Sequence, residues 1–337
     1  MSAAGQEVVT AMAPGLPERL FRGERADRLR ALAGDAWRTP LTHLTGEIAG
    51  ERLASARVLL TGWGAPVIDE AALALAPRLV AVVHAAGSVK GHVARAVFDR
   101  GVAVSSAADA NAVPVAEYTL AAILLANKGV PAMAAEYRRR RAYVDVLGDY
   151  RDVGNYGRTV GLVGASRTGR RVAELLRPFD VEVLISDPYL DEAGAGALGA
   201  RKVALDELFP SSDVVSLHAP ATAETRHLVT AARLAAMPEG ATLINTARGS
   251  LVDHDALVAE LSTGRLSAVL DVTEPEIPPR DSPLWELPNV VLTPHVAGSL
   301  GTELERLGAH ALAEVFRALD GGPLRHPVDP ALLGVTA

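Results

Sequence analysis

The segment from Val160 to Pro188 constrains this chain more than any other. Val160–Val163 is a short apolar run, Gly164–Gly169 a glycine turn, Arg170–Leu176 an amphipathic stretch, and Val181–Ser186 a second apolar run that ends at Asp187. Strand, turn, helix, strand and acid, in that order, form the layout of a dinucleotide-binding βαβ unit. In such a turn the first glycine permits the tight bend and the second lets backbone approach a pyrophosphate. The third allows close helix–strand packing, and the helix N-terminus faces the phosphates. Gly164 and Gly169 fill the outer roles, but Ser166 stands in the middle one. Its Cβ crowds a phosphate slightly, while its hydroxyl offers the phosphate a hydrogen bond. Taken alone, the turn does not separate a dinucleotide site from an ordinary strand-to-helix turn. Asp187 follows Gly169 by eighteen residues. An acid at that strand end accepts hydrogen bonds from ribose hydroxyls and repels a 2′-phosphate. A capping aspartate before Pro188 is the plainer explanation, but the full layout favours the ribose role and NAD over NADP.

The rest of the chain repeats the alternation of apolar runs and helical patterns that marks parallel α/β sheets. Val8–Met12, Arg57–Thr61, Leu79–His84 and Gly101–Ser105 are predicted strands of a first series, with an amphipathic helix around Pro17–Leu32. A long helical pattern runs from near Val113 past Leu125. The second series has six predicted strands, Thr159–Val163, Val181–Ser186, Val214–His218, Thr242–Thr246, Ala268–Val272 and Val290–Thr293, the count of a complete doubly wound nucleotide domain. The helix Thr302–Leu319 has no strand of its own and is expected to pack back on the first domain. The expected fold class is therefore α/β, with two Rossmann-like doubly wound parallel-sheet domains. Residues 1–109 plus 299–337 form the discontinuous substrate domain and 110–298 the NAD-binding domain.

Composition narrows the partners. A chain of 337 residues accommodates two cores, and 49% apolar with 22% charged residues is ordinary for a soluble enzyme. A net charge of −7 argues against nucleic acid or an anionic membrane surface as partner. The chain has no cysteine, which removes disulfides, thiolate metal sites and a cysteine nucleophile, and no metal site is expected. No basic segment followed by an apolar core opens the chain, and the apolar stretch Ala71–Ala86 is too short to span a bilayer, so a cytoplasmic protein is expected.

Three charged residues follow predicted strands: Arg248 in Asn245-Thr-Ala-Arg-Gly249, Glu276 in Asp271-Val-Thr-Glu-Pro-Glu276, and His295 in Leu292-Thr-Pro-His295. Each alone is more often a surface arginine, a solvated loop acid or a turn histidine. Side chains beyond the carboxyl ends of strands converge on the ligand cleft of an open α/β sheet, so three together point to catalysis.

These phrases resemble the D-isomer-specific 2-hydroxyacid dehydrogenase family. The likeness rests on Val160–Gly169, Ser216–Pro220, Met237–Asp253, Leu270–Glu276 and Ser282–His295, and is strong from Ala110 to Gly298. The resemblance implies an NAD-dependent oxidoreductase acting on the CH–OH group of D-2-hydroxy acids, working as a 2-oxoacid reductase in a cleft between the two domains. His295 would give a proton to the developing alkoxide, Glu276 would orient it, and Arg248 would bind the substrate carboxylate and carbonyl. Asp271 corresponds to the partner of the nicotinamide carboxamide. Arg167, Thr168, His218, Ala219, Pro220, Thr225, Thr246, Ala247 and Gly298 fall on cofactor-lining positions, and a homodimer is implied. His84, His92, His227, His254, His310 and His326 match no catalytic motif and are read as structural.

The chain departs from the family in its first half. A loop like G-x-G-x-D-N usually cradles the substrate carboxylate, and here it reads Ala85-Ala-Gly-Ser-Val-Lys90. Gly87 and Ser88 still offer backbone donors, and Lys90 either points away as a surface charge or binds a second anionic group. Two alternatives remain open: an NADH-sensing, corepressor-like binding protein on the same fold, and a phosphite- or phosphonate-related dehydrogenase, whose distinctive lysine falls near Ala86 rather than at Lys90. A glutamate at position 276 argues against the formate-oxidising branch. The expected absence of a further C-terminal domain follows from the chain's end soon after its last helix.

Overall fold

The computed structural model describes residues 6–331 and 333. The chain divides into two compact units, one holding the residues up to Asn111 and those from Ser299 onward, the other Ala112–Gly298.

The first unit is built on a parallel sheet of β1 (Val8–Ala11), β2 (Val58–Thr61), β3 (Ala81–His84) and β4 (Ala103–Ser106), whose order follows the chain. Every residue of β1, β2 and β3 is buried. That is the pattern of a parallel sheet covered on both faces, which needs continuous apolar runs rather than alternation. On one face Val8, Leu60 and Val83 pack with Leu307, Ala311 and Val315 of the helix Leu304–Leu319. On the other, Val9, Leu59 and Val82 pack with Leu53 and Val97. The helix Leu304–Leu319 lies in the first unit. Gly308 is the point of closest approach, since a Cβ there would lie 2.0 Å from the Leu20 carbonyl oxygen.

The helix expected over Pro17–Leu32 is two helices, Leu16–Leu20 and Glu24–Ala33. Phe21 is extended and Gly23 takes φ +54°, which breaks the run. The Phe21 ring meets Trp37 edge-on, with centroids 6.5 Å apart. An aromatic core contact therefore overrides continuous helical periodicity.

The second unit has seven parallel strands: β5 (Arg158–Val163), β6 (Val181–Ser186), β7 (Arg201–Lys202), β8 (Val214–Leu217), β9 (Thr242–Asn245), β10 (Ser267–Leu270) and β11 (Val290–Leu292). Their order is β11-β10-β9-β8-β5-β6-β7. The order reverses at β5, and ligands of open α/β sheets bind beyond the carboxyl ends of strands at such a point. The edge strand β7 is absent from the sequence-based expectation, because two residues reading Arg-Lys carry no apolar pattern. The long helix Ala108–Asn127 begins five residues earlier than expected and contains Pro114. Among the described residues no helix is long and apolar enough to cross a membrane.

Replacing Gly308 by alanine drives a methyl group into backbone of the helix Leu16–Leu20. Overpacking of this kind costs about 1–3 kcal/mol. Chemical denaturation should show an earlier unfolding midpoint for Gly308→Ala, and an unchanged midpoint would mean that the helices separate without cost.

Candidate active site

The glycine turn follows β5 directly. Gly164 takes φ +101°, and a Cβ on it would lie 2.6 Å from the Ala219 amide nitrogen, so only glycine fits. A Cβ on Gly169 would lie 2.1 Å from the Gly164 carbonyl oxygen, which is the close helix–strand packing expected of the third position. Ser166, by contrast, has φ −63° and ψ 177°, a conformation open to any residue. Its Oγ accepts a hydrogen bond from the Gly169 N–H at 3.3 Å and caps the helix Arg167–Leu176. Serine is a favoured cap because it satisfies one of the N–H groups left over in a helix's first turn. By accepting, it keeps its own proton for an outside acceptor. Arg167 is exposed and Thr168 half-buried on the same first turn.

Asp187 stands where β6 ends. Its Oδ2 accepts from the Ala165 N–H at 2.7 Å and its Oδ1 from the Tyr189 N–H at 2.7 Å. The carboxylate is thereby locked beside the turn, with lone pairs remaining for a further donor. Opposite, His218 and Ala219 follow β8, and the His218 ring is 4% exposed with Nε2 3.0 Å from Ser216 Oγ. Burial pushes its pKa down to about 3, so the ring is neutral, and its backbone is what lies against Gly164. Thr225 Oγ donates to the Pro220 carbonyl at 2.6 Å and fixes the loop after β8.

Three neighbouring strand ends carry the charged residues. Beyond β10, Asp271 is 2% exposed and accepts three hydrogen bonds from the loop after β11. They come from the Thr293 hydroxyl at 2.6 Å, the Val296 N–H at 2.8 Å and the Ala297 N–H at 2.9 Å. The His295 N–H donates to the Asp271 carbonyl at 3.0 Å, and His295 itself takes φ +55°. A loop so pinned can hold a non-glycine residue in the left-handed region. His295 Nδ1 lies 2.6 Å from Glu276 Oε1. A carboxylate only accepts, so Nδ1 carries the proton it donates to Glu276, and Nε2 is the nitrogen presented outward. Both side chains are solvent-accessible, at 49% and 59%.

Arg248, beyond β9, does not join that pair. Its Nη1 donates to the Ala247 carbonyl at 2.6 Å, within its own loop. Asn245 ties the loop from both sides, donating to the Arg248 carbonyl at 2.9 Å and accepting from the Ala247 N–H at 3.0 Å. Gly249 lets this loop touch the next, because a Cβ there would lie 2.0 Å from the Thr273 carbonyl carbon.

In the first unit, Gly87 and Ser88 follow β3, and Ser88 Oγ accepts from the Lys90 N–H at 3.3 Å. Lys90 is exposed. Behind the loop, His84 bonds Thr61 Oγ at 2.9 Å and stacks on His92 with centroids 4.3 Å apart. Burial, with the neighbouring His92, holds the His84 pKa at about 3. His326 lies against His310 and pairs with Asp109 at 2.7 Å. Sequence reasoning passed over Asn111, whose Oδ1 accepts from the Ser299 N–H at 3.1 Å where the chain leaves and re-enters this unit. It also passed over Tyr118 and Thr119. Nothing in a helical pattern marks a polar residue that bonds across to a distant strand end.

Residues 120–297 match the D-isomer specific 2-hydroxyacid dehydrogenase, NAD binding domain. The D-3-phosphoglycerate dehydrogenase of Mycobacterium bovis is 36% identical over 76% of this chain and 48% of its own length. The chain thus spans about half the length of the curated relatives it matches. A solved protein of Thermus thermophilus superimposes with a TM-score of 0.74 and 32% identity over 96% of this chain and 99% of the other. The D-lactate dehydrogenase of Aquifex aeolicus, solved with NAD and lactic acid, gives 0.71 and 27% over 93% and 96%. The glycine turn, its capped helix and the fixed Asp187 fit that cofactor. The chain belongs to the D-isomer specific 2-hydroxyacid dehydrogenase family, and its second unit carries the family's NAD-binding domain.

Proposed function

We propose that the protein reduces a small 2-oxo acid to the D-2-hydroxy acid with NADH. The observation that carries this reading is the 2.6 Å His295–Glu276 pair on a loop pinned by Asp271. Gly164, Ser166, Arg167, Thr168 and Gly169 would hold the pyrophosphate, and Asp187 the adenosine ribose. Ala219, Pro220, Thr225, Thr246, Ala247, Asp271 and Gly298 would line the remainder, with the backbone rather than the ring of His218. When bound, the dinucleotide supplies a hydride from its nicotinamide.

His295 delivers the proton from Nε2 to the substrate oxygen as that oxygen gains charge, a contribution typical of general acids. Glu276 accepts from Nδ1, which fixes the ring's orientation. Arg248 offers a planar fork to the substrate carboxylate, for which its present bond to the Ala247 carbonyl is a weak competitor. Gly87 and Ser88 supply further backbone donors, and Lys90 is the candidate contact for a second anionic group.

A homodimer suits the second unit, where Tyr143, Leu147 and Tyr156 are 84%, 85% and 88% exposed within one stretch. Large exposed apolar side chains such as these are candidates for burial in a dimer. A cytoplasmic location suits a cysteine-free chain.

NADH oxidation should be followed against glyoxylate, hydroxypyruvate, pyruvate and phosphonopyruvate. Turnover with at least one is expected, and NADH binding without turnover of any would overturn the reading. His295→Ala should lose on the order of 10²–10⁴-fold in kcat while NADH affinity, read by fluorescence titration, stays near wild type. Asp187→Ala should weaken NADH binding and narrow the preference over NADPH, and an unmoved ratio would remove the ribose role. Gly249→Ala should displace Arg248 and cost roughly a hundredfold in kcat/KM.

A further inference from the structure

Two consecutive residues of the long helix Ala108–Asn127 bond the ends of two different strands of the second unit. The Tyr118 hydroxyl lies 3.1 Å from Thr293 Oγ, at the end of β11. Thr119 Oγ lies 2.9 Å from Thr246 Oγ, at the end of β9. Thr293 precedes His295 by two residues, and Thr246 precedes Arg248 by two. In a parallel sheet, strands on either side of a shared neighbour are about 10 Å apart. One turn of helix therefore reaches across β10 to the roots of both catalytic loops.

Proton counting fixes the direction of each bond. Thr293 has one hydroxyl proton, and it goes to the Asp271 carboxylate at 2.6 Å, so Tyr118 donates to Thr293. Thr119 gives its proton to the Val115 carbonyl at 2.8 Å, so it accepts from Thr246. Thr119 is 0% and Thr246 7% exposed, so their bond is shielded from competing water. Tyr118, Thr293 and Asp271 thus form one chain of hydrogen bonds ending on the carboxylate that pins the loop carrying His295. Thr246 and Thr119 form a second chain, ending in the helix backbone.

We propose that Tyr118 and Thr119 are positioning residues that set the proton donor and the substrate-binding arginine relative to one another. The proposal rests on the roles given above to His295 and Arg248. Tyr118 acts on the acid through Thr293 and Asp271, and Thr119 acts on the arginine through Thr246. Neither touches the reacting atoms.

The two arms separate in experiment. Tyr118→Phe should lower kcat roughly tenfold with little change in KM, because misplacement of the acid affects the transition state. Thr119→Val should raise the KM of the oxo acid roughly tenfold with a smaller effect on kcat, because it loosens the carboxylate-binding loop. Thr119→Ser keeps the hydroxyl and should restore the KM. A second readout needs no turnover. Amide hydrogen exchange at Val296 and Ala297 should quicken in Tyr118→Phe, and at Ala247 in Thr119→Val, each leaving the other loop unchanged. Variants that lower the melting temperature while leaving exchange in both loops at wild-type rates would overturn the proposal. So would equal changes in both loops from either substitution. If the wild type turns over no oxo acid but exchange separates as described, the positioning role stands and the assigned reaction falls. If the wild type is active, His295→Ala is inactive and both helix variants behave as wild type, the positioning role alone falls.

Discussion

The Asp271 carboxylate is the interaction on which the loop after β11, and the proposed site it carries, depends. It is buried, and it accepts three hydrogen bonds from a loop that makes no regular structure of its own. A buried carboxylate is costly unless its lone pairs are filled, and a loop backbone is costly to order unless its N–H groups are bonded. Each need meets the other here. The result is a loop rigid enough to hold His295 at positive φ beside Glu276. If one of the three donors were lost, the carboxylate would be under-satisfied at the root of the loop that holds His295 beside Glu276.

The other elements serve the same end. Parallel strands bring their carboxyl ends to one edge, and short loops there keep side chains near the strands that anchor them. Gly249 removes the bulk that would separate the Arg248 loop from the one after β10, and Gly164 does the same between the turn after β5 and the one after β8. Ser166 belongs in this scheme. Its backbone needs no glycine, and its side chain caps the helix Arg167–Leu176, whose N-terminus is the one proposed to receive the pyrophosphate. The substitution is a change of capping chemistry within an intact turn.

Much of this was legible in the sequence, since buried parallel strands are continuous apolar runs and glycines at forced positions recur at fixed spacing. The ten strands with apolar runs appear within one or two residues of their expected bounds. The exceptions have physical reasons. β7 is a two-residue edge pair defined by its neighbour, not by its own composition. The break at Phe21 comes from a ring packing on Trp37. That Arg248, Glu276 and His295 lie beyond neighbouring strand ends was readable because each follows an apolar run, but the closeness of His295 to Glu276, without Arg248, was not. The bonds that hold the loops were not. Tyr118 and Thr293 are 175 residues apart, and no local pattern encodes such a pairing.

The most direct test of the account is the fate of the transferred hydrogen. Incubation with an accepted 2-oxo acid and NADH carrying deuterium at both hydrogen positions of the nicotinamide C4 should give a 2-hydroxy acid of D configuration with one deuterium bound at C2. The hydroxyl proton should come from solvent. A product without deuterium at C2, or one of L configuration, would contradict the reaction assigned to His295, Glu276 and Arg248.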